Sequence, residues 1–254
     1  SMKTMHFFSA CIVASAVTCT TPLPRRDSMI YLLIISFTFL RGCAVFTTAR
    51  KTLPKGCLLE IAHSLPRHSF FSYINNDSLP SSYFEQAEKT LQDGYVYLIL
   101  TESKSASSEL IGLFTNRQYN HVSLAFDRDL NTLVSYNGGE RIASPGLNPE
   151  AVTQLTQRAG ATMMLYRLPA TYSQKRAILD KIREINQEGS AYNLLGLLFK
   201  VTLRPNIMFC SQFIYTMLEH AGLNYFEKDA VHVTPTDFIE LDYYRTLDFV
   251  GKIG

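Results

Sequence analysis

The chain lacks the sequence patterns that mark several well-known functional classes. Its five cysteines form no C-x-x-C pair, so neither a zinc site nor a closed disulfide framework is indicated. It has no glycine-rich phosphate loop, no internal repeat and no heptad register. These absences give no support to a P-loop nucleotide site, a solenoid or a coiled coil. We therefore expect neither a cofactor nor a metal.

Charge is distributed unevenly along the 254 residues. Residues 1–59 carry seven basic side chains against one acid, a net charge of +6, whereas the remainder has a net charge of −4. A mildly acidic body argues against nucleic acid as a partner. Two apolar runs lie in the basic part, over residues 5–19 and 29–40, and both are shorter than the ~20 residues of a confident membrane span.

The first apolar run resembles a secretory signal, because Lys3 precedes it and Ala14-Ser15-Ala16 offers a small-residue cleavage site. In a second interpretation Met29 begins the signal, and Leu40-Arg41-Gly42-Cys43 is an imperfect lipoprotein cleavage box. A third is that both runs are buried elements of the folded domain. We favour a leader that places the protein in the cell envelope or outside the cell, with possible membrane association.

The chain divides into three predicted regions. Residues 1–60 form the leader, and residues 61–93 are rich in Pro, Asn and Ser, which is typical of a linker. Residues 94–254 form the predicted folded domain. Hydrophobic periodicity there predicts an α+β fold. The predicted strands cover residues 95–101, 120–127, 132–137, 162–168 and 244–250. The predicted helices begin near Ser107 or Ser108, Asn148-Pro149, Ser173, Ala191, Cys210 and Thr234.

Cys210 is the single thiol of the body and begins an amphipathic stretch that ends at Gly222. Phe213, Ile214, Met217 and Leu218 recur at helical spacing, which predicts a helix whose first turn holds the cysteine. Backbone amides at a helix N-terminus favour a thiolate. Taken alone, however, a lone cysteine is more often a small buried hydrophobic residue.

His121 opens an alternating run that predicts a strand. Alternation places His121 on the same face as Ser123 and Ala125, and we expect these small side chains to let the cysteine helix dock closely over that face. A thiol and an imidazole are the two groups that a cysteine nucleophile requires. His63, His68, His220 and His232 lack such a context and are interpreted as surface or structural residues.

Two short segments carry a family resemblance. Tyr119-Asn120-His121-Val122-Ser123-Leu124, followed much later by Phe209-Cys210-Ser211-Gln212-Phe213, resembles the circularly permuted branch of the NlpC-type papain-like superfamily. This branch includes YiiX-like proteins and lecithin:retinol acyltransferase-like enzymes. The segments 192–196 and 234–238 are also similar to an uncharacterised bacterial subgroup. The resemblance covers roughly residues 94–250.

The resemblance implies an antiparallel sheet with the cysteine helix packed on it, Cys210 as nucleophile and His121 as general base. It also implies a third polar residue on the following strand. Pairing Phe126 with Thr132 sets Ser135 opposite Ser123 and Asn137 opposite His121. In typical members the third residue lies two positions along from the histidine, which favours Ser135. An amide orients an imidazole better than a hydroxyl does, which favours Asn137. The backbone amide of Cys210 would bind the oxyanion, with a second donor that the sequence does not identify.

These residues predict a cysteine hydrolase that cleaves an amide, ester or thioester bond through an acyl-enzyme. A peptide, cell-wall or lipid-linked acyl substrate would fit an envelope location. Acyl transfer to an acceptor other than water uses the same residues and is the second hypothesis. A non-catalytic, membrane-tethered binding module is the third, supported by the weak third residue.

Overall fold

The computed structural model describes residues 67–102, 119–139, 143–156 and 161–253, together with Ser36 and Leu40. The side chains of Leu195, Leu198 and Phe199 are outside this description. The chain divides into two units, Ser1–Lys51 and Thr52–Gly254. All elements described below belong to the second unit. The predicted leader and the predicted helix after Ser107 or Ser108 lie outside the described residues.

The described part is an α+β fold. Its strands are β1 (Tyr95–Glu102), β2 (His121–Ala125), β3 (Val134–Asn137), β4 (Gly146–Pro149), β5 (Thr162–Pro169), β6 (Ala191–Tyr192), β7 (Ile207–Met208) and β8 (Asp248–Ile253). Its α-helices are α1 (Ser81–Lys89), α2 (Val152–Thr156), α3 (Tyr172–Glu188), α4 (Leu194–Phe199), α5 (Cys210–His220) and α6 (Asp237–Glu240). Short 3₁₀ turns cover Leu91–Asp93 and Ala230–His232.

Six strands form one antiparallel sheet in the order β4-β3-β2-β1-β5-β8, and β6 and β7 form a separate parallel pair. The predicted register between β2 and β3 is confirmed, because Leu124 pairs with Val134. The cysteine helix is also confirmed, and Gly222 follows it with a φ of 63°, a left-handed conformation that suits glycine.

Several local predictions differ from the structure at element ends. Asn148 and Pro149 belong to β4 instead of beginning a helix; proline is tolerated there because β4 is an edge strand. Helix α3 is capped by Thr171, not Ser173, through a capping box with Gln174. The helix predicted from Ala191 begins only after Asn193, whose side chain accepts from the Gly196 amide.

The segment predicted to be a linker, 61–93, contains packed structure in its described part. Leu79, Tyr83 and Ala87 are buried in the main core. The Asn75 side chain donates to the carbonyl of Leu147 at 2.8 Å. Prolines and polar residues suggested an extended connection, but here their polar groups are satisfied by the body of the fold. The folded part therefore begins well before Gly94.

The cysteine helix packs on the opposite face of the sheet from the one predicted. Phe213 and Ile214 of α5 share a core with Val122 and Leu124 of β2, whereas Ala125 belongs to a smaller core on the other side. The prediction of docking over the face of His121, Ser123 and Ala125 is therefore wrong. Large aliphatic side chains offer the helix more apolar area than small ones.

No described helix is both long enough and apolar enough to cross a membrane.

A buried lysine ties three parts of the fold together. The side chain of Lys175 on α3 is fully buried. Its Nζ donates to the carbonyls of Thr90 at 2.7 Å and Phe126 at 2.9 Å, and it pairs with Asp93. The lysine thus connects the 3₁₀ turn before β1, the end of β2 and α3.

We expect Lys175→Met to lower the free energy of unfolding by about 3 kcal/mol, because it leaves buried carbonyls and a carboxylate without their partner. Lys181→Met on the same helix removes only a surface pair with Glu184 and should cost less than about 0.5 kcal/mol. Urea unfolding of both variants measures the difference. Equal losses of free energy of unfolding in the two variants would show that the hydrogen bonds of Lys175 do not stabilise the fold.

Candidate active site

Cys210 is the first residue of α5 and is 2% exposed. Phe209 precedes the helix in an extended conformation, and its carbonyl accepts the first intrahelical bond from the Phe213 amide at 2.9 Å. The side chain of Phe209, the N-cap residue, makes no capping hydrogen bond. The first amides of the helix consequently have no intrahelical partner and point toward the region around the cysteine.

His121 is the first residue of β2, and its imidazole is held by a carboxylate. The Nε2 atom lies 2.9 Å from Oε1 and 3.1 Å from Oε2 of Glu150. The two side chains are 12% and 4% exposed. Glu150 directly follows β4. This contact therefore spans two strands of the sheet.

Two further side chains orient the Glu150 carboxylate. The Asn137 amide donates to Oε1 at 2.8 Å, and the Ser123 hydroxyl donates to Oε2. The Ser123 hydroxyl also lies 3.2 Å from His121 Nε2. The carboxylate is thus fixed in position by three neighbours, and it fixes the imidazole in turn.

Ser135, the predicted third residue, has another partner. Its hydroxyl donates to the carbonyl of Val122 at 2.7 Å, while the imidazole nitrogen is bound by Glu150. We therefore replace Ser135 with Glu150 as the residue that orients His121. Asn137, the alternative, acts one step further away, because its amide binds the carboxylate. Pairing and side-chain alternation place Ser135 and Glu150 on one face, where a small residue leaves room for the long glutamate side chain.

Sequence reasoning did not identify Glu150 because it lies beyond a strand that was interpreted as a helix start. A signal was available in its position. The next alternating strand after β3 would place Asn148 and Glu150 on the same face as Ser135, two residues apart. Once Gly146–Pro149 is read as a strand, its alternation points to Glu150.

Glu150 and Cys210 both act on the pKa of His121. Burial lowers the pKa of His121, but the Glu150 charge and a side-chain hydrogen bond with Cys210 outweigh it and raise this pKa to about 10. Burial raises the pKa of Glu150, and the His121 charge and hydrogen bonds lower it to about 2. At neutral pH the pair is therefore an imidazolium and a carboxylate, with the thiol as third member.

One short segment is hydrogen-bonded both near Cys210 and near His121. The Ser211 hydroxyl, next to Cys210, donates to the carbonyl of Val233 at 2.7 Å. The amide of Tyr119, two residues before His121, donates to Thr236 Oγ1 at 3.3 Å. Residues 233–236 therefore connect the start of the cysteine helix to the approach of the histidine strand.

Of the other histidines, His68 packs against an aromatic ring. Its ring makes an edge contact with Tyr192, at 5.9 Å between ring centroids. Burial, followed by the charges of Cys210 and Glu150, raises the pKa of Tyr192. His68 therefore contacts a tyrosine whose pKa is affected by the charges of Cys210 and Glu150. His220 and His232 are at the ends of their helices, and His63 is outside the described residues.

Comparisons with known proteins yield a distant structural similarity. No protein-family profile and no curated protein matches it. It is similar to a solved structure, the metalloprotein yiiX from Escherichia coli O157:H7, with a TM-score of 0.38 and 14% identity. The similarity covers 62% of this chain and 96% of that chain. Within the residues that the structure describes here, no group of three or more His, Cys, Asp or Glu could hold a metal ion.

We expect Glu150→Gln to lower the pKa of His121 from about 10 toward its ordinary value, because the neutral amide removes the carboxylate charge. An NMR titration of the imidazole protons measures this change. Ser135→Ala is the matched control and should leave the titration unchanged. An unchanged His121 titration in Glu150→Gln would contradict the pairing.

The pair also predicts how stability depends on pH. Because the folded-state pKa of His121 is raised from 6.5 to about 10, its contribution is complete below pH 6.5 and is lost as the pH rises through about 10. Because the pKa of Glu150 is lowered from 4.5 to about 2, its contribution is present above pH 4.5 and is lost as the pH falls through about 2.

We expect this contribution to be largest between pH 4.5 and 6.5. The measurement is the difference in free energy of unfolding between the wild type and the double variant His121→Gln/Glu150→Gln, obtained from urea unfolding at each pH. The double variant removes both titrating groups, so the difference isolates the pair. A difference that does not vary with pH would rule out the ion pair.

Proposed function

We propose that this protein is a cysteine hydrolase of the circularly permuted papain-like type. Cys210 is the nucleophile, His121 the proton carrier and Glu150 the residue that orients the histidine. The observation that carries this proposal is the contact of the Glu150 carboxylate with the His121 imidazole at 2.9 Å, together with the effect of Cys210 on the pKa of that imidazole. An activated nucleophile needs this arrangement: a thiol, a base within reach and a third group that holds the base.

The reaction follows from these groups. The Cys210 thiolate attacks the carbonyl carbon of an amide, ester or thioester, and the carbonyl oxygen becomes an oxyanion. The imidazolium of His121 donates its proton to the leaving amine, alcohol or thiol as the acyl bond breaks. His121, now neutral, then takes a proton from water as the water attacks the acyl-enzyme; the acid is released and the Cys210 thiolate and the His121 imidazolium are restored.

The N-terminus of α5 supports the charged intermediates. The backbone amide of Cys210 belongs to the first turn, where amides have no intrahelical acceptor. Such an amide stabilises an oxyanion directly beside the nucleophile. The Glu150 charge stabilises the imidazolium, so the ion pair persists before the substrate is attacked.

Glu150 also bears on the choice between catalysis and binding. A serine as the third residue would hold the imidazole weakly, which would favour a non-catalytic module. A carboxylate at 2.9 Å holds it more strongly, because a charge-assisted hydrogen bond is about twice as strong as a neutral one. A peptide, cell-wall or lipid-linked acyl substrate at the cell envelope is the setting that we propose from the leader.

We expect Cys210→Ala to abolish acyl-enzyme formation with p-nitrophenyl acetate, and His121→Ala to reduce its rate by about 100-fold or more, because general acid–base catalysis contributes about that much. Glu150→Gln should reduce the rate by about tenfold or more, since the imidazole then loses its charged partner. Mass spectrometry of the acetylated protein and stopped-flow release of nitrophenolate provide the two readouts.

The matched control for this experiment is Ser135→Ala, which removes a hydroxyl bound to a backbone carbonyl. Its rate should stay within about threefold of the wild type. Acetylation of a residue other than Cys210, or a Glu150→Gln rate equal to that of Ser135→Ala, would overturn the assigned roles.

A further inference from the structure

Lys200 lies close to the residue that precedes the cysteine. The Nζ atom of Lys200 is buried, and it makes no hydrogen bond within the part of the chain that the structure describes. It lies 5.2 Å from the centroid of the Phe209 ring, which belongs to the residue directly before Cys210. A buried ammonium that donates no hydrogen bond is costly, so its retention points to a ligand with an acceptor group.

A second lysine near Lys200, Lys228, does have a carboxylate partner. Lys228 has its Nζ 2.6 Å from Oδ2 of Asp237 and is therefore neutralised. Burial and the charge of Lys228 lower the pKa of Lys200, whereas the charges of Asp237 and Cys210 oppose this change. Two lysines thus face the same region, and only one of them has a carboxylate within hydrogen-bond distance among the described residues.

The backbone holds Lys200 in place. The residue ends α4 in a left-handed conformation, with φ 57° and ψ 45°, where glycine or asparagine is usual. The residues that follow it are bonded to their surroundings. The Asn193 amide donates to the carbonyl of Val201 at 2.9 Å, and the Gln212 amide donates to Thr202 Oγ1 at 2.8 Å. Because Gln212 lies in the first turn of the cysteine helix, the lysine segment is fixed to that turn.

We propose that Lys200 is a substrate-binding residue that pairs with an anionic group, a carboxylate or a phosphate, close to the bond attacked by Cys210. This inference rests on the proposed function and specifies its substrate class: an acyl compound that carries negative charge near the scissile bond. The substrate anion would accept the hydrogen bonds that no described residue accepts from Lys200. A Lys–carboxylate contact in a region sheltered from water is stronger than one at the surface.

Two alkylating reagents of similar size test the proposal without a known substrate. Iodoacetate is an anion and iodoacetamide is neutral, and both alkylate a reactive thiol. The measured quantity is the ratio of their second-order rate constants at Cys210. We expect Lys200→Met to lower the iodoacetate-to-iodoacetamide ratio by about tenfold, and Lys200→Arg to retain most of it because the positive charge remains.

The controls separate the competing explanations. Lys252→Met removes an exposed lysine of β8 and should leave the ratio unchanged. If Lys200 acted only on the thiolate, Lys200→Met would slow both reagents equally, and an unchanged ratio would overturn the proposal. A different result would contradict the proposed catalytic role of Cys210: a rate of iodoacetamide alkylation that does not change in His121→Ala. Circular dichroism verifies that each variant is folded.

Discussion

The buried ion pair between His121 and Glu150 is the interaction on which the rest of this site depends. Neither charge can be removed from water cheaply, so each must be matched by the other and by further hydrogen bonds. The carboxylate meets this requirement with the imidazole, the Asn137 amide and the Ser123 hydroxyl. The result is an imidazole whose orientation and charge are both determined before any substrate arrives.

The sheet provides the geometry that this pair requires. Glu150 reaches the imidazole from beyond β4, two strands away, across a face where β2 and β3 carry small or polar side chains. On the opposite face, the large apolar residues of the same strands pack against the cysteine helix. One face of β2 therefore packs against the cysteine helix, and the other holds the ion pair between His121 and Glu150. This division explains why small residues next to His121 do not mark a docking surface.

Electrostatic balance links the pair to the proposed substrate site. The imidazolium and the Glu150 carboxylate cancel, as do Lys228 and Asp237. In the proposed mechanism, Lys200 and the Cys210 thiolate also contribute charges near the helix end. When the thiolate becomes an acyl thioester its negative charge disappears. An anionic group on the substrate would keep the lysine compensated throughout the reaction.

The sequence by itself determined the cysteine helix, the strand that begins with His121 and the register of β2 against β3. Each depends on local periodicity and on residues close in the chain, such as the glycine that ends α5. Only the tertiary structure decided that Glu150 orients the histidine, which face the helix covers and that the segment before Gly94 is packed. These features depend on strand order and on contacts between distant residues, and no local pattern encodes such long-range pairings.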